Sequence, residues 1–211
     1  MWHFLASVLD AILPRHNDVI VARTISEKEI AVLLSPRSAS APWIVALFPY
    51  RDPKIRAVVR ALKYHGDTAL FPHIGRFLGE YAVDVLSEKR TLAGWHDVLL
   101  VPMALSKARL RERGYSQAER IASSMLPYLD HEVSFAPHAL SRDDRKSQVT
   151  VNRAERIRNV KGAFRADPLA VDGKYILLID DVVETGATME DARRALVAAG
   201  AKDVFGISVA H

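Results

Sequence analysis

Up to about residue 92 the apolar positions follow a helical spacing. Phe4, Leu5, Val8, Leu9, Ile12 and Leu13 fall on one helical face, which Pro14 ends. Ser26 and Glu29 form a capping-box pair ahead of a short helix through Ala31 to Leu34. The string SPRSASAPW, rich in Ser, Pro and Ala, reads as a loop or linker. Asp52-Pro53 opens the next helix, with Ile55, Val58, Val59 and Leu62 on its apolar face and Gly66 as its stop. A longer helical pattern runs from about Ala69 to Lys89.

Beyond residue 92 the texture changes. DVLLVP is a short buried strand, followed by the basic helical stretch KARLRERGYSQAERIASSML, which Gly114 breaks or bends. A further strand is expected near Val133–Leu140. The long polar segment SRDDRKSQVTVNRAERIRNVKG follows, with Asn152 and Glu155 placed to cap a short helix. Then come a Gly173-Lys174 turn, the strand YILLID, a glycine-containing loop, a helix over 189–199 stopped by Gly200, and the strand DVFGISVA. Strands alternating with helices predict an α/β fold with a parallel sheet. The expected division is a helical N-terminal region, 1–91, and an α/β core, 92–211.

Composition narrows the chemistry. The chain has 211 residues, ordinary for one domain or one domain with a small addition. Cysteine is absent, which excludes disulfides, cysteine-ligated zinc, iron–sulfur clusters and thiol catalysis. No apolar stretch approaches the roughly 20 residues of a membrane span. The N-terminus lacks a basic leader and a small-residue cleavage site, so no signal peptide is read there and the expected compartment is the cytoplasm. The N-terminal helix has no basic polar face of the kind interfacial anchors carry, so core or dimer packing is expected of it. Trp2, Trp43 and Trp95 are expected in packing. The net charge is 29 − 25 = +4. From Val101 to Arg165 there are 13 Lys/Arg against 7 Asp/Glu. That basic third is either a solvated face or a field attracting phosphates or nucleic acid.

The most informative string is IDDVVETGAT, residues 179–188. An apolar strand ends in Asp180 and Asp181, and a short loop with Thr185, Gly186 and Thr188 leads into a helix. Gly lets backbone approach an anion, hydroxyls donate, and N–H groups at the helix start point outward. Adjacent carboxylates would repel a phosphate, yet they suit sugar hydroxyls or a divalent metal. Phosphate at one end and a diol at the other describe a ribose 5-phosphate.

This string resembles the phosphoribosyl-pyrophosphate (PRPP) motif of type I phosphoribosyltransferases. ALKYHGD, VPMALSKARLRERGYSQAERIA and NRAERIRNVKGAF resemble the ComF/GntX family of phosphoribosyltransferase-like proteins, some linked to DNA uptake in competence. The resemblance spans roughly residues 52–209. It implies the type I phosphoribosyltransferase fold, a mainly parallel sheet flanked by helices, with the N-terminal region as a small helical hood. The sequence departs from that family around Leu13 to Pro49, where most members carry a cysteine zinc ribbon and this chain has no Cys.

The resemblance also implies roles. Asp180 and Asp181 would hold the ribose hydroxyls. Glu184, Thr185, Gly186, Ala187 and Thr188 would grip the 5-phosphate, and Glu184 would act as a base toward the acceptor or remain a solvent-facing acid. The segment Met103, Ala104, Leu105, Ser106 and Lys107, with Arg109, would bind pyrophosphate, although Lys107 is equally read as a solvated helix residue. Arg111, Arg113, Tyr115 and Gln117 lie in RERGYSQAE, and spacing alone does not tell which of them face the site. Residues 141–161 resemble the flexible loop that closes over the site, with Arg142, Arg145 and Lys146 over the pyrophosphate, or else form a disordered basic loop. His65 in KYHG is read as structural or functional.

The implied ligand is PRPP or another ribose 5-phosphate with Mg²⁺, without zinc and with no direct protein ligand assigned to the metal. The implied activity is phosphoribosyl transfer to an unidentified acceptor, in a homodimer. The alternative is a catalytically silent binding module acting in DNA uptake or single-stranded DNA handling.

Overall fold

The computed structural model describes residues 20–22, 24–64, 69–143 and 162–211. The expected N-terminal helix with Trp2, together with His65, Gly66, Arg145, Lys146 and the Asn152–Glu155 cap, lie outside the described residues.

In chain order the elements are α1 (Glu27–Val32), β1 (Arg37–Ala39), β2 (Ala41–Phe48), α2 (Pro53–Tyr64), α3 (Leu70–Ala93), β3 (Val98–Pro102), α4 (Lys107–Arg113), α5 (Gln117–Met125), a 3₁₀ turn (Leu126–Tyr128), β4 (Val133–Phe135), β5 (Leu140–Arg142), β6 (Phe164–Ala166), α6 (Pro168–Val171), β7 (Tyr175–Val182), α7 (Ala187–Ala198) and β8 (Asp203–Ala210). Six strands form one sheet in the order β1-β2-β8-β7-β3-β4. All neighbours in it run parallel except β1 with β2. β5 and β6 pair antiparallel as a separate ribbon.

The central strands read as continuous apolar runs because both faces of the sheet are covered. Along β7 the side chains alternate between two cores. Leu177 and Ile179 face a cluster with Ile74, Leu78 and Ile121, from α3 and α5. Ile176 and Leu178 face the opposite cluster with Met189, Ala192 and Leu196 of α7.

Several elements follow local sequence closely. The Ser26–Glu29 capping box forms in full. Asp52 accepts from the N–H groups of Lys54 (2.8 Å) and Ile55 (3.3 Å), capping α2, and Ile55, Val58, Val59 and Leu62 are buried. The basic stretch divides into α4 and α5, because Gly114 takes the left-handed conformation at φ 75° and closes α4.

The structure differs from expectation in three places. The segment read as a loop, SPRSASAPW, forms β1 and the start of β2, turning at Ser40 with φ 65°. Pro42 is tolerated because the register slips between Ser38 and Ala39, which leaves Pro42 without a ladder partner. The strand expected near Val133–Leu140 is two short strands, β4 and β5, in different sheets. The division at residue 92 does not coincide with a break in the fold: β2 lies beside β8, and α2 and α3 share a core with β7 and β8. The apolar run IVALF, which has no helical period, found its partner strand far along the chain.

Leu47, fully buried on β2, tests this integration. Leu47→Ala should lower global stability by about 2–5 kcal/mol. Denaturant unfolding should show one shifted transition; an unchanged main transition would mean that β2 is an appendage.

Candidate functional site

The chain leaves β3 toward β4 on one flank, while β7 lies on the other. Open parallel sheets bind ligands in the crevice at such a divergence, beyond the carboxyl ends of the strands. Pro102, the end of β3, pairs with Ile179, so Asp180 and Asp181 overhang the end of that strand. On the other side β7 stays paired with β8, through Asp180↔Ser208 and Val182↔Ala210. The acidic pair is therefore rigidly held on one edge and open on the other.

Both aspartates are half-buried. Burial, with the neighbouring Asp181 charge, pushes the Asp180 carboxyl up to about 7. The Asp181 N–H, donated to Asp180 Oδ1 at 2.8 Å, and the charges of Lys63 and Arg142 pull it the other way. Ionising Asp180 is thus opposed by burial and by its neighbour and eased by the cations near it.

The loop after β7 is anchored at its start. The Val183 N–H donates to Ala210 O at 3.0 Å, and Val183 O accepts from His211 Nδ1 at 2.8 Å. Glu184 and Thr185 are exposed, and Gly186 is buried. Gly186 stands at the start of α7 with φ 72°, and a Cβ there would lie 2.8 Å from the Cβ of Ser40 in the β1–β2 turn. Glycine is required here both for its conformation and for the close approach. The start of α7 has no side-chain cap of its own, apart from Thr185 Oγ1 at 3.4 Å from the Ala187 N–H. Its first N–H groups are of the kind that meet an anion.

The β3–α4 loop reaches the same end of the sheet. Met103, expected on pyrophosphate, is not available to it: its N–H donates to Ile179 O at 2.7 Å and its side chain is buried. The apolar side chain continues the strand's packing one residue past its end. Ala104 and Leu105 are half-buried, and among the described residues their N–H groups have no backbone acceptor. The Ser106 hydroxyl caps α4, accepting from the Arg109 N–H at 3.2 Å. Lys107 and Arg109 are exposed on α4, a helix without a buried residue.

Arg142 ends β5, with its guanidinium 5.3 Å from the Phe164 ring centre. Its charge acts on Asp180, so one of the three expected loop cations is brought to the acidic pair. The residues bounding 144–161 are tied together. The Asp143 N–H donates to Ala163 O at 2.7 Å, and the N–H groups of Gly162 and Ala163 donate to the Asp191 carboxylate at 2.7 and 2.8 Å. Asp191 is buried on α7 and also accepts from Arg194 at 2.6 Å.

Residues 111–211 match the family model described as phosphoribosyl transferase domain. The competence protein ComFC of Bacillus subtilis is 35% identical over 74% of this chain and 58% of its own length. ComFC of Streptococcus pneumoniae is 29% identical over 75% of this chain and 64% of its own. The DNA utilization protein YhgH of Escherichia coli K12 is 26% identical over 77% of this chain and 70% of its own. Residues 111–211 thus form a phosphoribosyltransferase-type domain, and the chain as a whole is similar to the ComFC and YhgH proteins. It spans less than two thirds of the length of either ComFC relative. Among solved structures, an HPRT glutamic acid mutant is similar at 10% identity and TM-score 0.41, covering 65% of this chain and 67% of that one. A phosphoribosylpyrophosphate synthetase from Mycobacterium smegmatis follows at 22% identity and TM-score 0.36, covering 64% and 33%.

One residue of this ComF-like site was missed by sequence reasoning. Lys63 Nζ lies 3.3 Å from Asp181 Oδ2, with both side chains half-buried. Burial works against the Lys63 charge, but Asp181, Tyr50 and Asp180 outweigh it and hold the ammonium above its usual range. The sequence signal for it is the string KYHG, where the lysine stands two positions before His65. Arg113, Tyr115 and Gln117 also meet this helix end: Tyr115 donates to Leu62 O at 2.5 Å, Gln117 donates to Lys63 O at 3.1 Å, and Arg113 donates to Gln117 at 2.9 Å.

Among the described residues no group of three or more His, Cys, Asp or Glu is placed to hold a metal ion. Asp181 is engaged with Lys63 instead. Among the described residues no helix is long and apolar enough to cross a membrane.

The raised Asp180 pKa has a signed consequence. Asp180 keeps its proton in the fold up to about 7, against an ordinary 3.8, so folding stability is fullest below pH 3.8 and is lost as pH rises through 7. Asp180→Asn should therefore raise the melting temperature at pH 8, by about 2–4 °C for each kcal/mol relieved, and leave it unchanged near pH 3.5. Equal effects at both pH values would refute this account of Asp180. Gly186→Ala should lower stability by about 1 kcal/mol or more, read by denaturant unfolding, through its left-handed φ and the Ser40 contact.

Proposed function

We propose that this protein binds PRPP with Mg²⁺ at the carboxyl edge of β3 and β7 and transfers the phosphoribosyl group to an acceptor, releasing pyrophosphate. The observation that carries the reading is the conjunction at the end of β7: a rigid acidic pair, then an exposed Thr-bearing loop turning through Gly186 into the open start of α7. Hydroxyl-accepting and phosphate-accepting groups are separated along one loop, as a ribose 5-phosphate requires.

In the reaction the acceptor's lone pair forms a bond to the anomeric carbon. The bond from that carbon to pyrophosphate breaks, and its electron pair leaves with the pyrophosphate. Mg²⁺ on the diphosphate supplies charge neutralisation to the leaving group when bound. Asp180 and Asp181 accept from the 2′ and 3′ hydroxyls and favour the cationic ring that develops. Thr185, Gly186, Ala187 and Thr188 hold the 5-phosphate by backbone N–H and hydroxyl groups, fixing the ribose. The N–H groups of Ala104 and Leu105, with Lys107 and Arg109, meet the diphosphate. Arg142, whose charge acts on Asp180, adds positive charge beside the leaving group. Glu184, exposed beside the phosphate loop, takes a proton from the acceptor.

A second reading draws on the relatives, called competence and DNA utilization proteins. In it the domain binds the same ligand without turnover and responds to it in single-stranded DNA handling. The acidic pair serves both readings, so ligand binding is the common test. A cytoplasmic homodimer is part of the proposal.

Titration with Mg²⁺-PRPP should give saturable binding that Asp180→Asn/Asp181→Asn weakens by about tenfold or more. Equal binding by both proteins removes the site assignment. Binding without pyrophosphate release in the presence of bases, amines or ammonia favours the second reading. Absence of single-stranded DNA binding at low salt, where phosphate contacts are strongest, removes it.

A further inference from the structure

We infer that Lys63 is a positioning residue of this site, held in place by Tyr115 and Gln117, and that it fixes the Asp181 carboxylate at the open lip of β7. The inference rests on the reading of the acidic pair as the acceptor of sugar hydroxyls.

The last turn of any helix leaves carbonyls without intrahelical donors. At the end of α2 two of these are taken by one neighbouring segment. The Tyr115 hydroxyl donates to Leu62 O at 2.5 Å, and Gln117 Nε2 donates to Lys63 O at 3.1 Å. Gln117 is 1% exposed, and its other amide atom accepts from Arg113 at 2.9 Å, so its orientation is fixed. The Arg113 guanidinium also lies 5.3 Å from the Tyr64 ring centre. Tyr115 is braced in turn by Arg120, 4.2 Å from its ring centre. The backbone that carries Lys63 is therefore gripped at two successive carbonyls.

A flexible four-carbon stem normally leaves a lysine head free to wander. Here its base is clamped and its head meets Asp181 Oδ2 at 3.3 Å. The electrostatic gain is specific to the ligand class. Two ionised carboxylates alone present a doubly negative lip to a polyanionic sugar phosphate, and the ammonium cancels one of those charges. It also engages Asp181 Oδ2, and in this reading the second carboxylate oxygen serves the ligand hydroxyl. The strings KYHG and RERGYSQAE, separated in sequence, thus act as one device.

The test uses the full chain with Lys63→Met, Lys63→Arg, and the clamp pair Tyr115→Phe/Gln117→Leu. Without ligand, the pH at which Asp180 titrates is followed by its carboxyl carbon chemical shift. Among the described residues the charged groups acting on it are Asp181, Lys63 and Arg142, and Tyr50 acts on Lys63. Lys63→Met should raise the titration pH by about half a unit or more, Lys63→Arg less, and the clamp pair should move it in the direction of Lys63→Met. With Mg²⁺-PRPP, Lys63→Met should weaken binding about tenfold, and the clamp pair about threefold or more in the Lys63 protein but less than about twofold in the Lys63→Met background. Tyr115→Phe alone, which keeps the ring, guards against loss of folding in the pair and should show the same trend. An Asp180 titration unmoved by the clamp changes overturns the inference. If the unaltered protein takes no PRPP, the proposed function fails, while the titration still decides the clamp.

Discussion

Two carboxylates on adjacent residues at the end of a buried strand set the terms for everything around them. Burial and the neighbouring Asp181 oppose ionising Asp180, and what eases it comes largely from distant parts of the sequence. Lys63 arrives from α2, Arg142 from the β5–β6 ribbon, and a backbone N–H from within the pair itself. The positions of α2 and of the ribbon matter to the site because they deliver charge to one strand end. The sheet supplies the rigidity, since β7 stays paired with β8 beyond the point where β3 stops.

The same strand end explains why the loop that follows is built as it is. Gly186 must lie against Ser40, so the phosphate-type loop is packed upon the turn of an N-terminal hairpin. Asp191, three residues into the buried face beyond Thr188, anchors the far end of the segment that leaves at Arg142 and Asp143. α7 therefore carries the uncapped start at Gly186 and the Asp191 anchor for Gly162 and Ala163 within a few residues of each other.

Much of this was readable from local pattern. The caps at Ser26 and Asp52, the break at Gly114 and the strand YILLID ending in paired acids each depend on neighbours a few positions away, where sequence spacing is informative. What escaped was long-range. β1 and the start of β2 lie in a string of Ser, Pro and Ala that signals a loop, and only pairing with β8 makes β2 a core strand. Lys63 is not legible locally, because its meaning comes from Asp181, more than a hundred positions away. Met103 was assigned to a ligand because the loop's position was legible while its last ladder bond was not. Arg113, Tyr115 and Gln117 belonged to a conspicuous string whose target no spacing argument reveals.

The pairing of Ile44 with Gly206 joins strands separated by most of the chain. During synthesis the β2 edge stays without its neighbour until β8 has emerged, so a nascent or truncated polypeptide exposes the flat, apolar ribbon IVALF for all of that interval. Bare strand edges of this kind recruit other chains. Fragments stopping short of β8 therefore leave that edge open to pairing with other chains, a route to inclusion bodies.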